Sequence, residues 1–380
     1  MLSQIKSLFT IATKPSRKII GLMSGTSLDG LDIVLCQCNQ SGDSLSYTIE
    51  AFMTTPYDRE FRDLILSVYS KKIGDIQELT ILHSHIADVH ANYVLDALIE
   101  WNQRPTDIDV IASHGQTIYH APRSHHGRSD MPNATMQIAD ADRIAVKTGI
   151  ITLSDFRQKD IAYGGEGAPL AKYGDFLMYR SKDAHRLLIN LGGIANFTYL
   201  LKSGGLKDVI STDTGPANGL MNEYMRYLDP TKSLDKDGIF AAKGKVDKNL
   251  LQDLLSHPFI GLPIPKSTGP EAFNLDWVMK LEGFSSLNHF DVFATLNYFS
   301  AYTIAEAIRS LDLPIDEILL SGGGIHNTTL LANLKLLLKE YRIDILPNAD
   351  AKEALFFALF ANEMLCGSDN RINFGKISFP

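Results

Sequence analysis

Hydrophobic and polar positions along the chain follow two patterns, which together predict an α/β protein. Strand-like apolar runs lie at residues 19–20, 31–36, 46–53, 108–112, 150–153, 186–191, 197–201, 209–211, 317–320 and 343–346. Apolar residues recur with helical spacing at residues 57–70, 76–103, 136–148, 293–311, 328–339 and 352–365, and a further helix begins at residue 220. Strands that alternate with helices of this length are typical of α/β domains.

Two of the predicted strand pairs are joined by turns that carry glycine. The first turn contains Gly25, Thr26, Ser27, Asp29 and Gly30. Glycines let the backbone approach a ligand, and successive N–H groups with hydroxyls suit a phosphate chain. Asp29 would repel a phosphate unless Mg²⁺ lies between them. The second turn contains Gly192 and Gly193. An ordinary polar hairpin turn is the alternative for each residue, but their density favours a nucleotide site.

Polar residues also follow several other predicted strands. His114 follows the strand at residues 108–112, where it is either a ligand-facing group or a structural histidine. Asp155 and Arg157 follow residues 150–153 and precede a glycine-rich stretch at 163–169, which suggests a base with an anion clamp. A structural Asp–Arg pair is the alternative.

Two later stretches extend the pattern of polar strand ends. Thr214 and Gly215 stand at a predicted helix entry, a place that favours anions. The run Gly322, Gly323 and Gly324 would let the backbone lie flat against a base or ribose. A tight strand-to-helix turn without a ligand is the alternative for this run.

Length and composition bound the remaining possibilities. The chain has 380 residues and a net charge of −8, so we expect two domains and no nucleic-acid partner. We expect an extension at residues 1–17, a first domain at 18–135 that the tail 370–380 rejoins, and a second domain at 136–369. Three cysteines form no disulfide framework, and no apolar run has transmembrane length, so we expect a cytoplasmic protein without a membrane partner. The P-loop, Rossmann and nucleophile-elbow motifs are absent from the sequence.

Nine short motifs in order resemble those of one kinase family. They are GLMSGTSLDG at 21–30, HGQT at 114–117, DFR at 155–157, GGEGAPL at 164–170, NLGGIAN at 190–196, DTGP at 213–216, DKDG at 235–238, PKSTG at 265–269 and KEA at 352–354. The chain resembles the anhydro-N-acetylmuramic acid kinases, within the actin, Hsp70 and sugar-kinase superfamily. The match covers nearly the whole chain. It leaves out the first seventeen residues and the stretch 123–133.

The resemblance implies a two-domain actin-like or sugar-kinase fold with the active site in the cleft between domains. It implies that ATP with Mg²⁺ phosphorylates anhydro-N-acetylmuramic acid while water opens its anhydro bridge, in cell-wall recycling. Asp155 corresponds to the catalytic base and Asp29 to a metal ligand. The implied substrate-binding residues are His114, Gln116, Arg157, Gly165, Glu166 and Glu353. The implied nucleotide-binding residues are Gly25, Thr26, Ser27, Asp29, Gly30, Gly192, Gly193, Asp213, Thr214, Gly215, Gly322, Gly323 and Gly324.

Two positions depart from the family pattern, and two other functions remain open. Glu166 stands where the family often has glutamine, and Ala217 stands where it has glycine. The first alternative is a kinase for another amino sugar or polyol. The second is an actin-like or Hsp70-like ATPase without a small-molecule substrate, and it is disfavoured by the acid, arginine and glycine-rich stretch that follow residue 153. The expected partners are ATP and an amino sugar, and a homodimer stays open.

Overall fold

The computed structural model describes residues 2–168, 170–367 and 375–380. The chain forms two compact units. The first contains the residues up to Leu177 and those from Ala351 onward, and the second contains Met178–Asp350. None of the helices in the described part of the chain combines the length and the apolar character that crossing a bilayer requires.

The described residues form twelve strands and fourteen α-helices. The strands are β1 Ser16–Ser24, β2 Gly30–Asn39, β3 Ser46–Pro56, β4 Val110–Ala121, β5 Ala134–Ile138, β6 Thr152–Ser154, β7 Arg186–Leu191, β8 Ile194–Leu200, β9 Ile210–Pro216, β10 Glu317–Ser321, β11 Ile343–Ile345 and β12 Lys376–Ser378. The helices are α1 Leu2–Thr13, α2 Arg59–Val68, α3 Ile76–Glu100, α4 Arg123–His126, α5 Ala141–Thr148, α6 Phe156–Ala162, α7 Ala171–Tyr179, α8 Gly219–Leu228, α9 Ile239–Lys243, α10 Lys248–Leu255, α11 Leu275–Val278, α12 His289–Ser310, α13 Thr328–Leu337 and α14 Lys352–Cys366.

Each unit is built on one sheet, and the two sheets share a strand order. In the first, the order is β12-β6-β4-β1-β2-β3, and β5 pairs with β4. The strands β1, β2 and β3 are antiparallel, whereas β4 runs parallel to β1 and β6 parallel to β4. In the second, the order is β11-β10-β7-β8-β9, with β7, β8 and β9 antiparallel and β10 and β11 parallel. The prediction of an α/β fold is confirmed.

The first sheet is apolar on both faces because helices cover it. Ile20 of β1 pairs with Leu35 of β2 and with Ile111 of β4, and all three side chains are buried. Near-continuous apolar strands of this kind are what a sheet with two covered faces requires. Ile86 of α3 belongs to the same core.

Gly21 lets the last long helix pack directly against the central strand. A Cβ atom at Gly21 would lie 2.1 Å from the carbonyl oxygen of Ala354, which is in the first turn of α14. Only glycine allows so close an approach of two backbones. The contact fixes the first turn of α14, and therefore Glu353, relative to β1.

The units differ in extent from the domains expected from the sequence. The boundary expected after residue 135 falls inside β5, which pairs with β4. The buried strand β6 also belongs to the first unit, because it pairs with β4 on one side and with β12 on the other. The pattern at residues 136–148 predicted one helix, and this was wrong for its first part: β5 ends at Ile138, Asp140 caps α5, and the helix begins at Ala141.

Both chain ends belong to the first unit. The extension expected at 1–17 contains α1 and the start of β1. Arg17, which is buried, donates from Nε to the carbonyl oxygen of Ile11 at 2.9 Å and from Nη1 to Oδ1 of Asn362 at 3.1 Å. Of the expected tail, residues 370–374 lie outside the described residues, and β12 pairs with β6.

Candidate functional site

The turn between β1 and β2 has one buried side chain and several polar side chains that face solvent. Leu28 is buried, whereas Thr26, Ser27 and Asp29 are exposed. The hydroxyl of Ser27 donates to Oδ1 of Asp29 at 2.7 Å. A Cβ at Gly30 would lie 2.5 Å from the carbonyl oxygen of Thr55, so this glycine lets the chain enter β2. The turn therefore exposes two hydroxyls and one carboxylate to solvent.

A chain of buried hydrogen bonds runs from α3 to this turn. The imidazole of His90 bonds to the hydroxyl of Tyr57 at 2.8 Å, and Tyr57 donates to Oγ of Ser24 at 2.8 Å. Ser24 donates to Oε1 of Gln116 at 2.5 Å, and Nε2 of Gln116 donates to the carbonyl oxygen of Gly25 at 3.2 Å. Burial lowers the pKa of His90 to about 3, so its ring stays neutral. The side chain of Gln116, predicted to bind substrate, is therefore turned inward and holds the turn.

His114 and Arg157, both predicted from the sequence, contact each other. Nε of Arg157 donates to Nε2 of His114 at 2.8 Å, and Nη1 donates to the carbonyl oxygen of Gly167 at 2.9 Å. Because Nε2 accepts this bond, the proton of the neutral His114 ring is on Nδ1. Burial and then the Arg157 guanidinium hold the pKa of His114 well below its usual range. His114 thus acts as an acceptor that orients Arg157.

The glycine-rich stretch after α6 is organised by Asp160, a residue to which the sequence pattern assigned no role. Oδ2 of Asp160 accepts from the backbone N–H of Gly167 at 2.8 Å. A Cβ at Gly165 would lie 2.2 Å from the same oxygen, so Gly165 allows the loop to fold over this buried carboxylate. Glu166 projects into solvent. The signal in the sequence that could have identified Asp160 is its position, three residues after Arg157 and just before the glycine-rich stretch.

Glu353 lies at the start of α14 among other charged groups. Its neighbour Lys352 forms a buried ion pair with Asp175 at 2.8 Å. Loss of hydration among these groups raises the pKa of Glu353, while the charges of Lys352 and Arg157 lower it and that of Asp29 raises it. The structure thus brings Glu353, Arg157 and Asp29, three predicted site residues, within electrostatic reach of one another.

Asp155 lies between β6 and α6 in a left-handed backbone conformation, with φ of 59°. Its Oδ2 accepts from Oγ of Ser154 at 3.0 Å and lies 3.4 Å from Nζ of Lys376. It faces a cavity of about 310 Å³ that His114 also lines. The carboxylates that act on Arg157 are those of Glu353 and Asp160. The alternative Asp155–Arg157 ion pair is therefore replaced by one between Asp155 and Lys376.

In the second unit, the carboxylate of Asp213 is held by two hydrogen-bond donors. Its Oδ2 accepts from Oγ of Ser267 at 3.0 Å and from the backbone N–H of Thr268 at 2.8 Å. Burial raises the pKa of Asp213, although these two hydrogen bonds oppose the shift. Ser267 and Thr268 belong to the PKSTG motif, so the structure joins two motifs that lie more than fifty residues apart.

The other glycine turns of the second unit meet at one place. The carbonyl oxygen of Gly192 accepts from the N–H of Asn218 at 3.0 Å, and that of Gly193 accepts from the N–H of Gly219 at 3.0 Å. A Cβ at Gly322 would lie 2.5 Å from Oδ1 of Asn190, so the turn after β10 packs on the same region.

Within these turns, some predicted residues face solvent and others face the protein. Gly323 is exposed, with no atom within 4 Å of a Cβ built there, so its backbone is open to a ligand. Thr214 is buried and donates to the carbonyl oxygen of Ala195 at 3.2 Å. Gly215 has φ of 138°, a conformation that favours glycine.

Asp29 fits a magnesium ion that a nucleotide brings with it. Among the residues that the structure describes, no group of three or more His, Cys, Asp or Glu side chains could hold a metal. Mg²⁺ in nucleotide sites is bound by one or two carboxylates together with phosphate oxygens and water. An exposed single carboxylate beside two hydroxyls suits that arrangement.

Sequence comparisons with known proteins agree on one family. A family model described as anhydro-N-acetylmuramic acid kinase matches residues 17–371. A Pseudoalteromonas atlantica protein named anhydro-N-acetylmuramic acid kinase is 47% identical over 403 residues, covering 100% of both chains. A Caldanaerobacter subterraneus protein of the same name is 36% identical, covering 96% of this chain and 95% of that protein. Component A of the (R)-2-hydroxyglutaryl-CoA dehydratase of Acidaminococcus fermentans aligns with a TM-score of 0.43 at 13% identity, covering 92% of this chain and 99% of that chain, a likeness too weak to support a functional conclusion.

Proposed function

This chain belongs to the anhydro-N-acetylmuramic acid kinase family, and we propose that it phosphorylates 1,6-anhydro-N-acetylmuramic acid with ATP in cell-wall recycling. Water attacks C1 of the sugar, the C1–O bond of the anhydro bridge breaks, and the released oxygen on C6 attacks the γ-phosphorus of ATP. The products are N-acetylmuramic acid 6-phosphate, ADP and a proton. The observation that carries this proposal is a family match that spans the phosphate turn, the DFR motif and the glycine turns together. ATP is supplied inside the cell, so we place the reaction in the cytoplasm.

Nucleotide binding is assigned to two sets of turns. In the first unit, residues 25–30 bind phosphate oxygens through backbone N–H groups and the hydroxyls of Thr26 and Ser27. In the second unit, the backbone groups of Gly192, Gly193 and Gly215 are assigned to nucleotide binding. Asp213 and Thr214 brace that region, and Gly322 to Gly324 lie against the adenosine. Asp29 would help to hold Mg²⁺, which would supply charge neutralisation at the phosphates, and phosphoryl transfer depends mainly on such neutralisation and positioning.

Sugar binding is assigned to the charged residues of the first unit. Arg157 is held by His114 and by Gly167, so its guanidinium is already oriented before a ligand arrives. Glu353 lies within its electrostatic reach and can accept hydrogen bonds from sugar hydroxyls. Gly165 and Glu166 provide the loop beside Arg157, while Gln116 supports the phosphate turn from behind.

The water that opens the anhydro bridge needs a carboxylate to accept its proton, as in inverting glycoside hydrolysis. Asp155 is the base that the sequence resemblance predicts, and it stays a prediction. Asp213 is a second candidate, because a half-buried carboxylate with a raised pKa and one oxygen fixed by two donors suits a general base. Asp155 instead shares its Oδ2 with the ammonium of Lys376.

The proposed function is tested by measuring ADP release with Mg-ATP and a series of sugars. We expect release that depends on 1,6-anhydro-N-acetylmuramic acid and is much slower with N-acetylglucosamine or glucose. Equal ADP release with and without any sugar would instead favour an ATPase that lacks a small-molecule substrate. A homodimer remains a proposal that sedimentation of the same sample would check.

A further inference from the structure

A groove of about 570 Å³ lies beside the phosphate turn of the first unit. Its lining includes Thr26, Lys72, Thr117, Tyr119, His120 and His125. We propose that this groove, here called the histidine groove, binds the carboxylate of the acidic sugar through Lys72 and His125 and so sets the preference for an acidic substrate. The inference rests on the proposed function and assigns a part of the substrate to residues that no motif singled out.

The chemistry of the lining favours a hydroxylated anion. The residues that line the histidine groove include a lysine, three histidines, two tyrosines and several hydroxyl-bearing side chains, and none of them is acidic. A lysine ammonium with imidazole N–H donors binds a carboxylate by charge-assisted hydrogen bonds. Sugar hydroxyls can bond to the hydroxyl of Thr117 at the end nearest the phosphate turn.

Not all of the histidines are available to a ligand. Nε2 of His126 bonds to the carbonyl oxygen of Pro132 at 3.1 Å, and its Nδ1 accepts from the N–H of Arg128 at 3.0 Å. His126 therefore braces the loop. The rings of His120 and His125 lie 6.4 Å apart at 82°, edge to face, so they present N–H groups in different directions. His125 is exposed and His120 is half-buried.

The histidine groove lies near the residues that we propose to bind the sugar. Burial lowers the pKa of His120 most, and the nearby charge of Arg157 lowers it further. The nearby charge of Glu166 raises it. The backbone N–H of Ser70 donates to the carbonyl oxygen of Ile118 at 2.8 Å, which fixes the Lys72 segment against β4. A monosaccharide bound beside Arg157 and Thr26 would therefore extend its acidic substituent toward Lys72 and His125.

The test compares the acidic sugar with its methyl amide, in which the carboxylate is replaced by a neutral group. We expect Lys72→Gln and His125→Gln each to raise KM for the acid about tenfold, the scale of one charge-assisted hydrogen bond at a solvated site. KM for ATP and KM for the amide should stay at their wild-type values. Lys71→Gln is the matched control, since Lys71 is an adjacent exposed lysine that does not line the groove.

The possible outcomes separate this inference from the proposed function. Wild-type turnover of the acid with unchanged KM in both variants would overturn the groove assignment alone. Equal rises in KM for the acid and the amide would also overturn it, because the effect would not depend on the carboxylate. A rise in KM for ATP would mean that the groove binds phosphate instead. No turnover of either sugar by the wild type would overturn the proposed function, and calorimetric titration of the acid without ATP would then test the groove directly.

Discussion

Asp155 and Asp213 are both carboxylates, but Asp155 is paired with Lys376 whereas Asp213 accepts two hydrogen bonds, and substitutions can distinguish their roles. We expect Asp155→Asn to lose sugar-dependent turnover by about 10²–10⁴-fold, the usual contribution of a general base. Asp213→Asn should keep a larger share of its turnover, because Asp213 is assigned to the nucleotide turns of the second unit. Single-turnover rates of both variants check this, and the reverse result would assign the base to Asp213.

The stability of the Asp213 variant provides the control for folding. The pKa of Asp213 is raised in the folded protein, so the folded state binds a proton more tightly than the unfolded chain. Its ionised form therefore reduces the free energy of unfolding in full above the folded pKa, and the reduction disappears as pH falls from the folded pKa to the ordinary carboxyl pKa. Asp213→Asn should melt no lower than wild type at pH 7, and any gain should shrink in acid. A variant that melts lower at pH 7 would indicate that the carboxylate is structural.

Asp29 is exposed, so its role in binding can be tested without disturbing the core. Even outer partners of a metal typically contribute about 10–100-fold to its affinity, so Asp29→Asn should need at least about tenfold more Mg²⁺ for half-maximal rate. Melting temperature should be unchanged. Glu340→Gln, which alters another exposed acid, serves as the control. The same Mg²⁺ dependence in both variants would argue against Asp29 as a ligand.

At the scale of elements, the buried hydrogen-bond chain couples α3 to the turn between β1 and β2. Tyr57→Phe removes the hydroxyl that bonds to both His90 and Ser24 and leaves buried partners unsatisfied. We expect a loss of about 1–3 kcal/mol in the free energy of unfolding. We also expect KM for ATP to rise while KM for the sugar stays constant, because the phosphate turn loses its support. Urea unfolding and steady-state kinetics measure the two effects.

The control for the Tyr57 variant is Tyr47→Phe, which removes a phenol from β3, outside this chain of bonds. A stability loss without any change in KM for ATP would show that the chain of bonds supports the core and not the turn. Equal changes in the two variants would show that any phenol near the sheet has the same effect.

Individual elements show how far the sequence could predict the molecule. The near-continuous apolar runs of β1 and β2 and the helical period of α12 could be read from the sequence, and the family motifs located the turns and the acids. The end of β5 was missed because residues 136–140, which precede α5, happen to continue the helical spacing of apolar residues in α5. The inward role of Gln116 was not predictable, since its partner Ser24 lies 92 residues away and no local pattern records such a bond. The same reason hid the link between Asp213 and Thr268.

For the whole molecule, two units with one strand order carry different parts of the proposed reaction. The first offers Asp29, Arg157 and Glu353, and the second offers Asp213 and the glycine turns. The unit boundaries could not be read from the sequence, because a short strand such as β6 joins its sheet through residues far apart in the chain.

The most direct test of the proposed function follows both bonds that the reaction changes. The protein is incubated with Mg-ATP and 1,6-anhydro-N-acetylmuramic acid in ¹⁸O-water, and the products are read at once by mass spectrometry. We predict N-acetylmuramic acid 6-phosphate with one ¹⁸O on C1 and none in the phosphate, because water opens the bridge and the original bridge oxygen receives the phosphoryl group. Label in the phosphate, a product that keeps its anhydro bridge, or ADP without any sugar phosphate would contradict the account.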